Sequence, residues 1–424
     1  MAETVNHSSH QIDHLFRHEY GKLVAVLTKT FGPSNLQLAE DVVQEAMLEA
    51  LNKWSYNGIP DNPVGWIYSV AKNKAINIIK REKYVGDHVS EIEQRLHPGD
   101  NPHENFDDIF TESEIADDQL SMIFTCCHPS ISQDSQVALT LKTLCGFNIP
   151  EIARAFLSTE ENINKRLVRA RQAIRSQNVK FEVPVGSALQ PRLSSVLETI
   201  YLLFNEGYNA TSGKKLIRYE LCEEAIRMAE IVATQPQTST SQVYALLALM
   251  TLNSSRFNAR EDEDENILDL EHQDRNKWDK KLIARGLEYL EFATKQNEIS
   301  LYLILAAISA QHCTALDYAS TDWHGILELY EMLLALEPSP LIKLNHAIVL
   351  SKTGQTKAAI HMINSIRNEP TIQSYLPYYT AKAQLLYDNK QTHLAVETLE
   401  NALKLKPNEK VISLINSKIE DYSK

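Results

Sequence analysis

The sequence has 424 residues, with 42 lysines and arginines against 55 aspartates and glutamates, and a formal net charge of −13. This length predicts two or three domains, and the negative charge excludes a protein whose whole surface binds polyanions, so any nucleic-acid site must be local. Only 13 glycines and 15 prolines interrupt apolar residues that mostly recur every three or four positions, which predicts an all-α protein.

Three helices are predicted in the N-terminal part, at residues 10–30, 38–54 and 65–83. The second has an acidic and amide edge at Asp41, Gln44 and Glu45. The loop 55–63 before the third is rich in turn formers. The third helix turns basic side chains outward and is strongly basic in its C-terminal half.

The stretch 87–118 contains eleven acidic residues against the single base Arg95, with Pro98, Gly99 and Pro102 between them. It can bury little apolar surface, so it predicts a flexible linker. Two supporting helices are predicted after it, at 118–127 and 134–145. The FTCCHP stretch at 124–129 resembles a metal site only superficially. Two adjacent thiols and a histidine at one helix end cannot all face one ion, so we expect buried structural cysteines and no metal.

Residues 148–175 predict two short helices joined by a tight turn, as in a helix-turn-helix. Gly146 can end the preceding helix, and Pro150 suits a first turn. Ser158 and Glu161 fit a capping box that starts the second helix near Thr159. In that second helix Ile163, Leu167, Ala170 and Ile174 recur at helical spacing and predict its buried face. An ordinary helical hairpin with a solvated basic face is the alternative.

The combination of these stretches resembles a known family. EDVVQEAMLEALNKW followed by DNPVGWIYSVAKNKAINIIKRE is similar to region 2 of bacterial sigma factors of the extracytoplasmic-function (ECF) group. The helix-turn-helix, preceded by VALTLKTLCGF, is similar to region 4 of the same group. Both occur in the expected order, so the resemblance implies a factor that binds core RNA polymerase and recognises and melts promoter DNA.

The resemblance assigns roles to individual residues. Docking on the clamp helices of the polymerase is implied for Asp41, Gln44, Glu45 and Leu48. Contacts with the minus-ten element are implied for Asn57, Asp61, Asn62, Trp66, Asn73, Lys74, Asn77, Lys80 and Arg81. Contacts with the minus-thirty-five element are implied for Thr159, Glu160, Asn162, Asn164, Lys165, Arg166, Arg169 and Arg171. A solvated acidic face, a plain turn and a core position for Trp66 remain the alternatives for the first two sets.

Helical patterns continue after Lys180, and an internal repeat appears near the end. Residues 355–363 align with residues 391–399, a shift of 36 positions that is close to the tetratricopeptide period of about 34. IYLLFNEGYNATSG, LEHQDRNKWD and STDWHGILELYEMLLALEPSPLIKLNHAIVL resemble the ECF subgroup with a C-terminal tetratricopeptide-like extension. That resemblance implies regulation through the extension, whose concave surface could bind a protein or a small ligand.

The predicted domains are region 2 at 1–85, an acidic flexible linker at 86–116, region 4 at 117–179 and a helical-repeat extension at 180–424. The polar residues Glu206, Tyr208, His272, Asp274, Arg275, Trp278, Asp322, Trp323 and His324 lack a catalytic spacing, so we expect them to cap helices and to form hydrogen bonds within the domain. A binding pocket between the sigma regions and the extension is the alternative. We expect no catalytic residue, no metal and no other cofactor. Two other protein classes fit less well: a stand-alone helix-turn-helix regulator with a sensor domain, and a tetratricopeptide scaffold.

Apolar runs, the N-terminal residues and the cysteines together predict the cellular compartment of the protein. No apolar run is long enough to span a bilayer, and the N-terminus lacks the basic start and apolar core of a signal peptide. The five cysteines show no paired framework, which suits a reducing environment. The sequence therefore predicts a cytoplasmic protein whose partners are core polymerase, through clamp helices and flap, and promoter DNA, with no membrane contact.

Overall fold

The computed structural model describes residues 19–83, 111–156, 158–208, 218–262, 268–296, 298–405 and 409–423. These residues form α-helices, short 3-10 turns and loops, and no strand occurs among them. The all-α prediction is therefore confirmed. The chain divides into two compact units, Met1–Ser239 and Thr240–Lys424.

The first three helices form what we call the N-terminal bundle: α1 (19–31), α2 (Leu36–Asn57) and α3 (Pro63–Lys83). Leu23, Leu27, Val43, Ile67 and Ala71 form its core and are fully buried. The predicted second and third helices lie inside the observed ones, which extend two or three residues further at most ends.

Four helices form what we call the helix-turn-helix bundle: α4 (Glu112–Cys126), α5 (Gln133–Thr143), α6 (Ile149–Ala155) and α7 (Glu160–Ser176). Helix α4 starts inside the predicted linker, because Thr111 and Glu114 form a capping box at its N-terminus. Acidic residues in the first turn of a helix also interact favourably with the helix dipole. Residues 86–110 of the predicted linker lie outside the described residues.

Helices α8 (Leu189–Tyr208) and α9 (Tyr219–Thr234) complete the first compact unit. Thr199 donates to Gln136 Oε1 at 2.8 Å and Ser195 donates to the Cys127 carbonyl at 3.0 Å, so α8 packs against the helix-turn-helix bundle. The boundary between the compact units thus lies at residue 239, whereas the sequence placed the start of the extension at residue 180.

The second compact unit opens with α10 (Ser241–Ser254), α11 (Lys280–Thr294), α12 (Leu301–Thr314) and α13 (Trp323–Leu336). Two of the polar residues that were expected to cap helices, Asp322 and Arg275, do so here. Asp322 caps α13 by accepting from the Gly325 N–H, and Arg275 donates to the carbonyls of His312 and Ala315 at the end of α12.

The last six helices contain the internal repeat: α14 (Pro340–Lys352), α15 (Thr356–Ser365), α16 (Pro370–Gln373), α17 (Leu376–Asp388), α18 (Thr392–Leu403) and α19 (Glu409–Ser423). The hairpin α14–α15 recurs as α17–α18, shifted by 36 residues from Pro340 to Leu376. Gly354 and Lys390 occupy matching turns, both with positive φ. The repeat predicted from the sequence is therefore a repeat of structure.

Candidate nucleic-acid interface

Four residues set the turn into the helix-turn-helix. Gly146 has a φ of 69°, the left-handed conformation that ends the preceding segment at low cost. Asn148 Oδ1 accepts from the Glu151 N–H at 2.8 Å, and Glu151 Oε2 accepts from the Asn148 N–H at 2.8 Å. This reciprocal capping box, together with Pro150 in the first turn, fixes where α6 begins.

Helix α7 begins where the sequence predicted, but a different residue caps it. Thr159 Oγ1 accepts from the Asn162 N–H at 3.2 Å, so Thr159 is the N-cap and the predicted Ser158–Glu161 capping box is wrong. Ser158 instead accepts from Asn162 Nδ2 at 2.8 Å. Two residues assigned to the minus-thirty-five element, Thr159 and Asn162, therefore also build the start of the helix.

The two faces of α7 differ as its periodicity predicted. Ile163, Leu167, Ala170 and Ile174 are buried. The opposite face holds a shallow depression lined by Glu161, Asn164, Lys165, Val168 and Arg169. Val168 is 59% exposed there, an apolar contact point between amide and cationic groups. Such a face can offer hydrogen bonds, methyl groups and positive charge to a major groove.

The cations of α7 are in different electrostatic environments. Lys165 forms an exposed ion pair with Glu161 at 2.7 Å, and Arg166 pairs with Asp134 at 3.0 Å. Arg171 pairs with the fully buried Glu40 of α2. Arg169 is exposed and forms no ion pair within the described part of the chain, so it is the cation best placed for a phosphate.

On α2, the predicted polymerase-docking edge is mostly accessible. Asp41, Glu45 and Leu48 are exposed, and Leu48 has 60% of its surface open. Gln44 is half-buried and donates to the Tyr20 hydroxyl at 3.3 Å. Partial desolvation raises the pKa of the Asp41 carboxyl, although Arg171 and Lys142 nearby oppose the shift. The edge thus combines an exposed leucine with carboxylates, as a partly apolar interface requires.

On α3, Asn73, Asn77, Lys80 and Arg81 are exposed. Lys74 instead bridges to α2, with its Nζ 3.2 Å from Glu45 and 3.4 Å from Glu49. The hydrogen bond to Glu45 is the main cause of a raised pKa at Lys74. Lys74 therefore links the predicted docking edge to the predicted minus-ten face.

The loop between α2 and α3 brings three predicted residues together. Asn62 Oδ1 accepts from the Gly65 N–H at 2.8 Å and so caps α3, while Asp61 is exposed. Trp66 is half-buried, with its ring 5.6 Å from Trp54 in an edge-on contact and Lys53 Nζ 5.5 Å from its centre. Part of the Trp66 ring is thus packed and part is accessible. The side chain of Asn57 lies outside the described residues.

Tyr56 begins the stretch 56–63 that the resemblance relates to an unpaired base, but the sequence assigned it no contact of its own. It is 91% exposed at the end of α2, next to the loop that carries Asp61 and Asn62. An aromatic ring this open is suited to stack on an unpaired base. The sequence SYNGIPDNP at 55–63 already indicated that this tyrosine lies beside a polar turn.

The cysteines of the FTCCHP stretch are buried, as the sequence predicted. Cys126, Cys127 and Cys145 are all buried, and burial raises the pKa of each thiol, to about 11 for Cys127. Thr140 Oγ1 lies 3.9 Å from Cys127 Sγ. Among the described residues no group of histidine, cysteine and acidic side chains has a metal-binding arrangement.

None of the described helices is long and apolar enough to cross a bilayer.

Comparison with known proteins finds two families on this chain. Residues 15–84 match the family described as sigma-70 region 2, which corresponds to the N-terminal bundle. Residues 192–294 match a family of unknown function (DUF6596), which corresponds to helices α8 to α11. An uncharacterized protein of Rhizobium meliloti (strain 1021) is 33% identical over 352 residues, which span 83% of this chain and 82% of the relative. The helix-turn-helix bundle lies between the two matched segments.

Proposed function

We propose that this chain is an RNA polymerase sigma factor of the ECF type. The chain belongs to the same family as the Rhizobium meliloti protein, and its N-terminal bundle matches sigma-70 region 2. Region 2 gives the chain a sigma-factor-like role in transcription initiation. Its proposed partners are core RNA polymerase and promoter DNA.

One observation carries this proposal: a sigma-70 region 2 is followed by a helix-turn-helix with an open polar and cationic face. A region 2 alone would suit any sigma factor. The added helix α7, with Asn164, Lys165 and Arg169 at its surface, suits a second DNA-binding module that reads a separate promoter element.

In the proposed complex, the edge of α2 at Asp41, Gln44, Glu45 and Leu48 docks on the clamp helices. The exposed side chains of α3 and the preceding loop contact the minus-ten element, and Tyr56 adds a stacking surface for an unpaired base. Helix α7 contacts the minus-thirty-five element, while its bundle packs on the polymerase flap. Melting is driven by binding energy for unpaired bases, so the factor has no catalytic group or cofactor of its own.

We propose that the C-terminal extension is tetratricopeptide-like and regulates the factor. The hairpin α14–α15 and its copy α17–α18 support this architecture, with Ala359 and Ala395 fully buried at equivalent positions. Stacked helical hairpins form surfaces for a protein or small ligand. Helices α8 and α9, which pack on the helix-turn-helix bundle, join the extension to the DNA-binding module.

Run-off transcription tests the proposal. The full-length protein is mixed with purified bacterial core polymerase and a linear template that carries the DNA upstream of the chain's own gene. We expect a discrete transcript that requires both proteins. Leu48→Ala, on the docking edge, should weaken core binding about tenfold. Glu198→Ala, an exposed position on α8, is the control.

Two results would contradict the proposal. If the protein does not bind core polymerase in gel filtration and yields no transcript, it is not a sigma factor. If it binds duplex DNA tightly without polymerase, the stand-alone regulator is the better assignment, because a sigma factor depends largely on core enzyme for promoter binding.

A further inference from the structure

The end of α6, the first helix of the helix-turn-helix, is held by a side chain from outside that motif. Two of its last carbonyls, those of Ile152 and Ala153, accept from backbone N–H groups of the residues that follow α6. The next two, those of Arg154 and Ala155, accept from the guanidinium of Arg218, the residue directly before α9. Arg218 therefore supplies the donors that the end of a helix lacks within its own backbone.

The C-terminal end of α8 fixes Arg218 in turn. The Arg218 N–H donates to the Gly207 carbonyl at 2.8 Å, and Arg218 Nη1 lies 3.4 Å from Glu206 Oε1. Only 19% of the Arg218 side chain and 15% of the Glu206 side chain are exposed. Solvent screens a partly buried ion pair little, so Glu206 helps to hold the guanidinium against α6.

The close approach of α8 to α9 leaves no room for a side chain at Gly207. A Cβ at this position would lie 2.7 Å from Cys222 Sγ and 2.9 Å from Leu221 Cβ. Both neighbours are buried on α9, where close packing leaves them little freedom to move. Glycine at position 207 therefore sets how closely the start of α9, which carries Arg218, approaches the end of α8.

Helix α8 is itself anchored on the helices that precede the helix-turn-helix. Arg192, near the start of α8, donates to the Phe124 carbonyl of α4. Thr199 donates to Gln136 of α5 at 2.8 Å, and Gln136 Nε2 donates to the His128 carbonyl at 3.0 Å. Helices α8 and α9 thus connect α4 and α5 with the end of α6, and they determine where α6 ends relative to those helices.

The end of α6 leads directly into the recognition helix of the proposed function. Only residues 156–159 separate α6 from Glu160, the first residue of α7. The last of these residues build the start of α7, since Thr159 accepts from the Asn162 N–H and Ser158 accepts from Asn162 Nδ2. A recognition helix contacts base edges through its N-terminal residues, so the direction in which it leaves the turn decides which side chains reach the groove.

We propose that Arg218 is a positioning residue for promoter recognition. Held by Glu206 and by the contact of α8 with α9 at Gly207, it fixes the end of α6 and thereby the direction of α7 on the minus-thirty-five element. This inference rests on the proposed function, and it places part of the selectivity of α7 outside the helix-turn-helix. Arg218 lies in the segment 192–294, whose matched family is described as one of unknown function.

Three variants of the full-length protein test this role. Arg218→Ala removes both bonds to α6. Arg218→Lys keeps the positive charge but lacks the planar fork that serves two carbonyls at once. Glu206→Gln keeps the size of the partner and removes its charge. The matched control is Arg227→Ala, because Arg227 of α9 has a similar exposed fraction of 24% and donates to the Leu144 carbonyl after α5, not to α6.

Two templates separate positioning from general binding. One carries the DNA upstream of the chain's own gene, and the other carries the same DNA with the minus-thirty-five element scrambled, as located from the start of the run-off transcript. After core binding and circular dichroism have been compared, fluorescence anisotropy across a salt series gives the affinity of each polymerase complex for both templates. The ratio of the two affinities is the selectivity, and the slope of log affinity against log salt measures the phosphates that are neutralised.

We expect Arg218→Ala to bind core polymerase as wild type does and to lose about fivefold in selectivity, comparable to the loss of a hydrogen bond. Arg218→Lys should lie between Arg218→Ala and wild type. Glu206→Gln should lose less selectivity than Arg218→Ala, and the double variant should lose no more than Arg218→Ala alone, because Glu206 acts through Arg218. Arg227→Ala should keep the selectivity of wild type.

Three results would overturn the positioning role while the sigma-factor assignment stands. Unchanged selectivity in Arg218→Ala would show that α7 does not depend on this residue. A salt slope lower by about 1 in Arg218→Ala would make Arg218 a phosphate contact instead. Equal losses of selectivity in Arg218→Ala and Arg227→Ala would reduce the contact to one that stabilises the bundle as a whole.

Failure of the proposed function has a different signature. If wild type neither binds core polymerase nor distinguishes the two templates, the sigma-factor assignment fails, and the positioning role fails with it.

Discussion

Three arginines of the α8–α9 segment each donate to a backbone carbonyl of the helix-turn-helix bundle. Arg192 donates to Phe124 in α4, Arg227 to Leu144 after α5, and Arg218 to Ala155 at the end of α6. The last carbonyls of a helix have no partner within it and carry partial negative charge, so a guanidinium there is favourable. Single residues of the α8–α9 segment therefore stabilise helices of the helix-turn-helix bundle.

His312 of α12 is a titratable group that its surroundings keep neutral. Burial, reinforced by the charges of Arg256 and Arg275, lowers its pKa from 6.5 to about 3. Between these two values the unfolded chain binds a proton that the folded protein does not, so stability falls as the pH is lowered through this range.

We therefore expect acidification to destabilise the second compact unit through His312. Between pH 7 and pH 5 this residue should remove about 2 kcal/mol from the free energy of unfolding. His312→Gln should lose that part of the pH dependence in urea unfolding followed by tryptophan fluorescence.

His361→Gln, at an exposed position on α15, is the control for that experiment. The same pH dependence in His312→Gln as in wild type would show that the ring is not held neutral.

At the scale of elements, α7 separates its tasks by face. Its buried residues hold it in the bundle, Arg171 and Arg175 contact the N-terminal bundle, and Lys165 and Arg169 remain at the surface. The surface pair can thus be changed without loss of a described contact to the core or to the N-terminal bundle.

We expect Lys165→Ala and Arg169→Ala each to weaken binding of the polymerase complex to the minus-thirty-five element. If each cation neutralises one phosphate, each substitution lowers the slope of log affinity against log salt by about 1. Fluorescence anisotropy across a salt series measures both quantities.

Lys180→Ala removes an exposed cation after the end of α7 and is the matched control. Promoter binding unchanged in both surface variants would mean that α7 is not the recognition helix.

At the scale of the molecule, the division into two compact units determines where the chain can be truncated without loss of folding. Helix α8 buries Leu193, Val196, Ile200 and Phe204 in the first unit, and the boundary of that unit follows α9. A cut at the end of the helix-turn-helix would remove this layer and expose the surface beneath it.

A fragment that ends at Ser239 should therefore fold, whereas one that ends at Lys180 should not fold cleanly. We expect cooperative thermal unfolding from the first fragment, and binding of a hydrophobic dye and aggregation from the second, since it exposes apolar surface. Equal behaviour of the two fragments in calorimetry and dye binding would contradict this division.

Several parts of the site followed directly from residue patterns. The helix-turn-helix was predictable because Gly146, Pro150 and the buried spacing of α7 are local signals, read within a few residues. The repeat was predictable because equal sequences 36 residues apart fold into equal hairpins. The N-cap at Thr159 was not predicted, since neighbouring Ser158 and Thr159 both have the required hydroxyl.

The sequence by itself determined the helices, their buried faces, the order of the N-terminal bundle and the helix-turn-helix, and the repeat, because each depends on spacing along the chain. Only the tertiary structure decided three further features. Glu40 contacts Thr143 and Arg171, Gly21 lies so close to the Leu144 carbonyl that a Cβ would clash, and α8 and α9 belong to the first unit. These features join residues far apart in sequence, and a lone buried glutamate or helical glycine shows no local pattern that names its partner.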